Sequence, residues 1–268
     1  MQNRPAVTMS PGDPILAADE PPPVETVRPN APSPFLLLGD HAGNLFPRAM
    51  GTLGLPEAET RRHIAWDIGV RALGMMLAGR LDATFIHQNY SRLVIDCNRR
   101  PGAPDSIPPV SDGTAIAPNA ALDPAGAAAR VAAIHAPYHE AIAGEIERRS
   151  AAGRETILVS LHSFTPRMKG FDRPWQVGIL HNAGDSRFAR AMLAAFAGDP
   201  ALTVGDNEPY AMDVIDYTIP VHAYPRRLPY AEIEIRQDLL GDDAGVADWC
   251  GRVEGALIAA LRSFESVG

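Results

Sequence analysis

Two segments each join a run of apolar residues to a histidine. FLLLGDHAGN (residues 35–44) carries His41, and ILVSLHSFTP (residues 157–166) carries His162. The apolar runs predict buried strands, so we expect both histidines where strands end. A neutral imidazole is a good zinc ligand. The pattern therefore fits either a metal held between the two histidines or two histidines that cap their strands by hydrogen bonding.

A catalytic zinc usually has three protein ligands and one open position, and two histidines with one carboxylate form a common set. The segment HIAWDIG (residues 63–69) offers His63 and Asp67, four residues apart. We predict that this segment lies in a helix over about residues 56–80, where such a pair shares a face. Asp67 is then the acidic ligand with His63 supporting it, or His63 is itself the ligand, or the two only share a hydrogen bond.

The segment NYSRLVIDCNRR (residues 89–100) places charges among apolar residues. We predict a strand, on which Arg92 and Asp96 share one face because alternate residues of a strand point the same way. This pair is either an internal ion pair or part of a guanidinium clamp for a substrate carboxylate. Asn98 and Arg99 continue the polar run, so Arg92, Asn98 and Arg99 are candidate substrate-binding residues.

The segment LPYAEIEIRQDLL (residues 228–240) alternates polar and apolar residues. Glu232, Glu234 and Arg236 fall on one face of the predicted strand. A solvated edge strand would show the same alternation. If the strand is interior, Glu234 lies near its carboxyl end and is the candidate general base of a hydrolase. Glu232 would then lie deeper, and Arg236 nearer the surface as a candidate substrate-binding residue.

Two further segments offer weaker candidates for substrate binding. GDNEPY (residues 205–210) is a polar turn that contains Asn207 and Tyr210, and TIPVHAY contains His222. A plain turn is an equally simple interpretation of the first segment. No phosphate-binding glycine motif and no GxSxG nucleophile motif occurs in the sequence, which argues against nucleotide-binding and serine-hydrolase classes.

The order of the predicted elements indicates an α/β fold with a largely parallel sheet, because strands alternate with helices along the chain. Sites in such sheets lie outside the carboxyl ends of the strands, where both histidines are expected. We predict helices over about residues 125–151, 187–198 and 243–265, and a long loop over residues 101–124. Residues 1–34 are rich in proline and predict an extended or disordered arm, so order is expected to begin at Phe35.

Composition limits the class of protein. The 268 residues carry a net charge of −8 with 46% hydrophobic residues, which argues against nucleic-acid binding, since that needs a basic surface. The two cysteines, Cys97 and Cys250, form no CxxC motif and predict no disulfide framework. No segment has the length or apolar character of a signal core or a membrane span. We therefore expect a soluble, cytoplasmic protein that does not bind membranes.

Taken together, DHAGN, HIAWDIG, YSRLVIDCNR, LHSFTP, NEPY and EIEIRQDL occur in an order that resembles the N-formylglutamate amidohydrolase family. The resemblance extends over roughly residues 35–240. It implies a three-layer α/β/α sandwich with a mixed, largely parallel central sheet, similar to zinc-dependent exopeptidases of the carboxypeptidase type. Residues 35–268 would then form a single catalytic domain. Asp40 stands where better-studied members tend to have proline, so the chain looks like a divergent branch.

The resemblance also implies roles for individual residues. His41, Asp67 and His162 would hold a zinc ion, or another divalent metal, and Glu234 would act as general base. The Arg and Asn of SRLVIDCNR would line a pocket for an acidic substrate. Residues that support the ligands from behind are expected to be Asp40, His63 and Asp96.

Three hypotheses about function follow. The first is a zinc-dependent amidohydrolase that binds a small N-acyl amino acid and converts N-formyl-L-glutamate and water to formate and L-glutamate. The second is a deacylase or peptidase that acts on another small acidic amide. The third is a metal-free relative that binds a small molecule without catalysis.

Overall fold

A computed structural model describes residues 14–212 and 216–265 of the chain. Its strands are β1 (Val24–Val27), β2 (Phe35–Gly39), β3 (Thr84–Gln88), β4 (Val110–Ser111), β5 (Thr114–Ala115), β6 (Ile157–Phe164), β7 (Arg167–Met168), β8 (Phe171–Asp172), β9 (Val177–Leu180), β10 (Val204–Asp206) and β11 (Tyr230–Arg236). Its α-helices are α1 (Glu57–Thr60), α2 (Val70–Arg80), α3 (Ala117–Ala120), α4 (Pro124–Arg130), α5 (Ala136–Ala151), α6 (Arg187–Ala197), α7 (Thr218–His222) and α8 (Asp243–Glu265). A π-helical turn (Val131–His135) joins α4 to α5, and two 3₁₀ turns lie at Arg48–Met50 and Gln237–Leu240.

The central sheet is mixed and largely parallel at its centre, as predicted. Within the described residues it has seven strands in the order β1-β3-β2-β6-β11-β9-β10. Strands β3, β2, β6 and β11 run parallel to one another. Strand β1 pairs antiparallel with β3, β9 pairs antiparallel with β11, and β10 pairs parallel with β9. The carboxyl ends of β2, β6 and β11 therefore meet at one edge of the sheet.

Helices cover both faces of this sheet, which confirms the three-layer α/β/α sandwich. Leu37, Val159 and Ile233 of the central strands pack in one core with helices α2, α6 and α8. Their neighbours Leu36 and Leu158 pack in a second core with α5. Because successive residues of a strand point to opposite faces, a strand buried on both sides is apolar nearly throughout, which explains the uninterrupted apolar runs.

The predicted helix over residues 56–80 is wrong in its middle. Only α1 and α2 are helical, and turns join them across residues 61–69. The backbone N–H of Asp67 donates to the carbonyl of His41 at 2.9 Å instead of to its own helix. Gly69 follows at a φ of 84°, where a side chain would also overlap Leu240. Tertiary contacts to the first histidine segment therefore override the helical pattern.

The predicted strand over residues 91–97 is also wrong. The segment forms buried turns, in which Arg92 N–H donates to Ala65 O at 3.0 Å and Asp96 N–H donates to Ser106 O at 2.8 Å. Its apolar residues are fully buried, so their β-branched composition indicated burial rather than a strand.

Two loop predictions also differ from the structure. Residues 101–124 contain the β4–β5 hairpin and α3 rather than a loop alone. Order begins before Phe35, because β1 pairs with β3 at the edge of the sheet and Ile15 is buried. Residues 1–13 lie outside the described residues, so an extended arm there stays a prediction.

None of the helices in the described part of the chain is both long enough and apolar enough to cross a membrane.

Candidate metal centre and active site

Strand register brings the candidate residues to one edge of the sheet. His41 lies two residues beyond β2, and His162 lies within β6 near its carboxyl end. Strand β11 lies beside β6, with Glu234 opposite His162 and Glu232 opposite Ser160. These side chains line a cleft of about 380 Å³, a volume typical of small-molecule sites. The strand is interior, which rules out the solvated-edge interpretation of EIEIR.

His41, Asp67 and His162 form a compact buried group at the floor of this cleft. One ligand atom from each lies within 4.8 Å of the others. Asp67 Oδ2 is 2.9 Å from His162 Nδ1 and 3.4 Å from His41 Nδ1. Burial would raise the pKa of Asp67, but the two histidines outweigh that effect and hold it below its usual range.

A second carboxylate contacts the other nitrogen of each imidazole. His41 Nε2 is 2.7 Å from Asp96 Oδ1, and His162 Nε2 is 3.2 Å from Asp40 Oδ2. Against the effect of burial, the surrounding carboxylates raise the pKa of both imidazoles and so favour the protonated rings. A bound metal would take the place of the Nδ1 proton, leave each Nε2–H on its outer carboxylate and use the Nδ1 lone pair. Both histidines therefore present Nδ1 toward Asp67, which is the arrangement expected of metal ligands with carboxylates behind them.

The donor set fits a divalent metal. His41 Nδ1 is a buried nitrogen that has no hydrogen-bond partner within the described chain, and an unpartnered buried lone pair is costly unless a ligand uses it. Two imidazole nitrogens and one carboxylate oxygen are a set that binds zinc and leaves a further position open.

His63 lies apart from this group. It lines the cleft, but its Nε2 is 3.5 Å from Asp112 Oδ2 on the turn between β4 and β5. Burial lowers the pKa of His63, which favours the neutral imidazole. The compact group contains Asp67 and not His63, so the geometry favours Asp67 as the acidic ligand.

Glu234 and Glu232 project into the cleft from adjacent layers of β11. Both are buried, and each has an Oε2 atom without a hydrogen-bond partner among the described residues. Burial raises the pKa of Glu234 to about 7 and raises that of Glu232 well above its usual value. A carboxyl group with a pKa near neutrality suits a general base.

Arg92, Asn98 and Arg99 also line the cleft. Arg92 donates to Asp96 Oδ2 through Nε at 3.0 Å and through Nη2 at 2.6 Å. Arg99 Nε donates to Asp105 Oδ2 at 2.7 Å. The internal ion pair between Arg92 and Asp96 therefore forms, although it spans a turn rather than a strand face.

Tyr210 forms another part of the cleft wall and lies 4.8 Å above the guanidinium of Arg173, measured to the ring centre. The loop that carries Tyr210 packs closely against strand β9, because a side chain at Gly178 would overlap the carbonyl of Glu208. Glycine at this position in β9 thus allows the tyrosine loop to pack against the sheet.

Three predicted substrate-binding residues do not line the cleft. The Oδ1 atom of Asn207 accepts from the His181 N–H at 2.9 Å, so it supports the turn. Arg236 donates to Asp238 Oδ1 at 2.8 Å. His222 is buried against His139, with 2.9 Å between Nε2 and Nδ1. The sequence places these residues on the same strand faces and loops as the residues that line the cleft. It therefore could not show which of them reach the cleft.

Sequence reasoning missed two hydroxyl groups that hold Asp40. Ser160 Oγ donates to Asp40 Oδ2 at 3.0 Å, and Thr218 Oγ1 donates to Asp40 Oδ1 at 2.5 Å. The period of two along β6 would have placed Ser160 beside His162. No local signal points to Thr218, which lies 178 residues from Asp40 in the sequence.

A model of the N-formylglutamate amidohydrolase family matches residues 33–240. The chain belongs to this family. The resemblance deduced from the sequence segments is thereby confirmed, and amide hydrolysis is the chemistry that the family name describes.

Solved structures agree with this membership. A gene product of Agrobacterium tumefaciens is 38% identical, with a TM-score of 0.90 and coverage of 94% of this chain and 99% of that chain. The N-formylglutamate amidohydrolase of Ralstonia eutropha JMP134 is 20% identical, with a TM-score of 0.65 and coverage of 91% of this chain and 99% of that chain. A metallo-carboxypeptidase of Burkholderia cenocepacia is 12% identical, with a TM-score of 0.37 and coverage of 90% of this chain and 61% of that chain. No curated protein matches the chain.

Proposed function

We propose that this protein hydrolyses the amide bond of N-formyl-L-glutamate to give formate and L-glutamate, with a divalent metal held by His41, Asp67 and His162. The observation that supports the proposal most is the buried group of these three residues opposite Glu234 in a member of this family. Zinc is the preferred metal because imidazole and carboxylate ligands suit it, although other divalent metals accept the same set.

A bound divalent metal would supply Lewis acidity that polarises the formyl carbonyl oxygen. The chain's own residues supply the rest of the chemistry. Glu234 accepts a proton from the attacking water as the water oxygen bonds to the formyl carbon. As the C–N bond breaks, Glu234 returns that proton to the amine nitrogen, so the base is regenerated.

Asn98 and Arg99 are the proposed contacts for the carboxylate next to the scissile amide. Both line the cleft, and both lie on the segment that carries Asp96 behind His41. This connection would couple the position of the substrate to the orientation of the first metal ligand. Arg92 is held on Asp96 and Asp67, so its proposed role is to fix those carboxylates as much as to meet the substrate.

Substitution of His162 tests the metal assignment. His162→Ala is expected to lose both bound metal and formate release, because one of three ligands disappears and Asp40 and Asp67 lose their partner. The matched control is His181→Ala, since His181 pairs with Asp206 on another strand. Metal analysis and formate assays on both purified variants decide the matter. A His162→Ala protein with unchanged metal content would overturn the ligand assignment.

A further inference from the structure

The proposed substrate carries two carboxylates, so its two negative charges must be met by positive charges in the cleft. The cleft is lined by several acidic residues, but the lysine and arginine side chains among its described lining are Arg92, Arg99 and Lys169. A dianionic substrate needs a cationic contact for each carboxylate if it is to enter an acidic cleft.

Arg92 and Arg99 are both already paired with carboxylates of the chain. Arg92 is 2.6 Å from Asp96 and 3.5 Å from Asp67. Arg99 is 2.7 Å from Asp105 and 3.7 Å from Asp216. Their charges are thus largely compensated before a substrate arrives.

Lys169 differs from both arginines. It is the one lysine among the 24 lysine and arginine residues of the sequence. It is exposed, it lines the cleft, and it forms no ion pair with any described carboxylate. Its positive charge is therefore available to a ligand.

The backbone at Lys169 gives a second, independent argument. Strands β7 and β8 form a hairpin in which Met168 pairs with Phe171, so Lys169 and Gly170 are the two turn residues. Their φ angles are 49° and 84°, the left-handed region that such turns require at both positions. Asparagine or glycine is preferred there, and other residues adopt this conformation at a cost. The tight turn therefore fixes Lys169 at the tip of the hairpin, beside the cleft that it lines.

We propose that Lys169 is a specificity-determining residue that binds the side-chain carboxylate of the substrate from the tip of the β7–β8 hairpin. This inference rests on the proposed function and deepens it, because it assigns the recognition of the acidic side chain to one residue outside the central sheet. Arg99 and Asn98 would meet the carboxylate next to the amide, and Lys169 the distal one.

The test compares N-formyl-L-glutamate with N-formyl-L-glutamine, its neutral isostere. Lys169→Asn keeps the turn chemistry and removes the charge. This variant is expected to raise KM for N-formyl-L-glutamate about ten-fold, the loss typical of one hydrogen bond to a charged group, and to change KM for the glutamine compound far less. Lys169→Arg is expected to restore most of the preference. Lys169→Glu is expected to favour N-formyl-L-lysine.

The matched control is Arg187→Gln, because Arg187 pairs with Asp185 and lies outside the cleft lining, whereas Arg167 donates to Gly170 O in the turn beside Lys169. Arg187→Gln removes an equal charge and is expected to leave the substrate preference unchanged. A Lys169→Asn enzyme that still prefers the glutamate substrate as strongly as wild type would overturn the inference and leave the proposed function intact.

A binding arm separates failure of the inference from failure of the proposed function. Calorimetry with L-glutamate and L-glutamine needs no turnover. If wild type hydrolyses neither substrate, the proposed function fails. The binding measurement still shows whether Lys169 contacts the side-chain carboxylate. A preference for L-glutamate that disappears in Lys169→Asn supports the site, and a preference that persists or is absent from wild type contradicts it.

Discussion

At the scale of single residues, each histidine of the site is held between two carboxylates that have different tasks. Asp67 faces Nδ1 of both imidazoles, whereas Asp96 and Asp40 each contact one Nε2. The outer carboxylates fix the ring orientation and the tautomer, and Asp67 completes the proposed ligand set. The Nε2 atoms are thus occupied by carboxylate acceptors, and the Nδ1 atoms face the proposed metal position.

Glu234 is the residue whose replacement tests the proposed chemistry without removing a metal ligand. Glu234→Gln is expected to keep bound metal and to lower kcat by roughly 10²- to 10⁴-fold, because an amide cannot accept the proton from water. Formate release and metal content measured on the same preparation check this prediction.

Glu232→Gln on the same strand serves as the comparison. Glu232 is one layer deeper, opposite Ser160 rather than His162, so we expect a smaller loss of kcat. If the deeper substitution abolished activity and Glu234→Gln did not, the two glutamates would exchange roles.

At the scale of elements, buried histidines tie α5 and α7 to the segment that carries Asn98. The imidazole of His139, on α5, donates through Nε2 to Cys97 O at 2.8 Å, and His135 Nε2 donates to Arg99 O at 3.0 Å. His139 Nδ1 then accepts from Nε2 of His222, the last residue of α7. The backbone on both sides of Asn98 is thus held by neutral histidines.

These histidines predict a loss of stability in mild acid. Burial lowers the pKa of His222 to about 4 and that of His139 to about 3. In the unfolded chain these histidines have a pKa near 6.5, so below that pH the unfolded chain binds protons that the folded chain does not bind. The free energy of unfolding is therefore highest above about pH 6.5 and falls as the pH decreases toward 4. At pH 5 the loss amounts to about 2 kcal/mol per histidine.

Thermal unfolding at pH 7.5, 6 and 5 measures this effect. His222→Gln keeps a donor toward His139 and removes one titrating group, so its Tm is expected to fall less between pH 7.5 and pH 5 than that of wild type. Equal falls in Tm for the two proteins would show that His222 does not carry the acid sensitivity.

The sequence predicted correctly those helices and strands whose apolar residues pack directly on a hydrophobic core. The helix at residues 243–265 and the strands containing Leu37 and Val159 pack directly on a core. Helical periodicity identified the first, and uninterrupted apolar runs identified the strands. Residues 61–69 and 91–97 instead take their shape from contacts with His41 and Ala65, and local patterns cannot report such contacts.

At the scale of the whole molecule, the site depends on strand order more than on any motif. Three parallel strands far apart in the sequence bring His41, His162 and Glu234 to one edge. The place of the two histidines followed from strand ends and the α/β pattern, whereas that of Glu234 depended on whether its strand is interior. Thr218 of helix α7 holds Asp40 behind His162, and Lys169 at the tip of the β7–β8 hairpin lines the cleft. Both elements lie outside that sheet, so only the packed chain shows that they reach this edge of it.

One assay of formate release tests whether the protein hydrolyses N-formyl-L-glutamate with the help of a metal. Formate release by the purified protein is measured before chelation, after chelation and after zinc is added back. We expect release that the chelator abolishes and zinc restores, because His41, Asp67 and His162 would hold the metal and His41 Nδ1 has no other partner among the described residues. Formate release that chelation leaves unchanged would contradict the metal, and no release from fully metal-loaded protein would contradict the substrate.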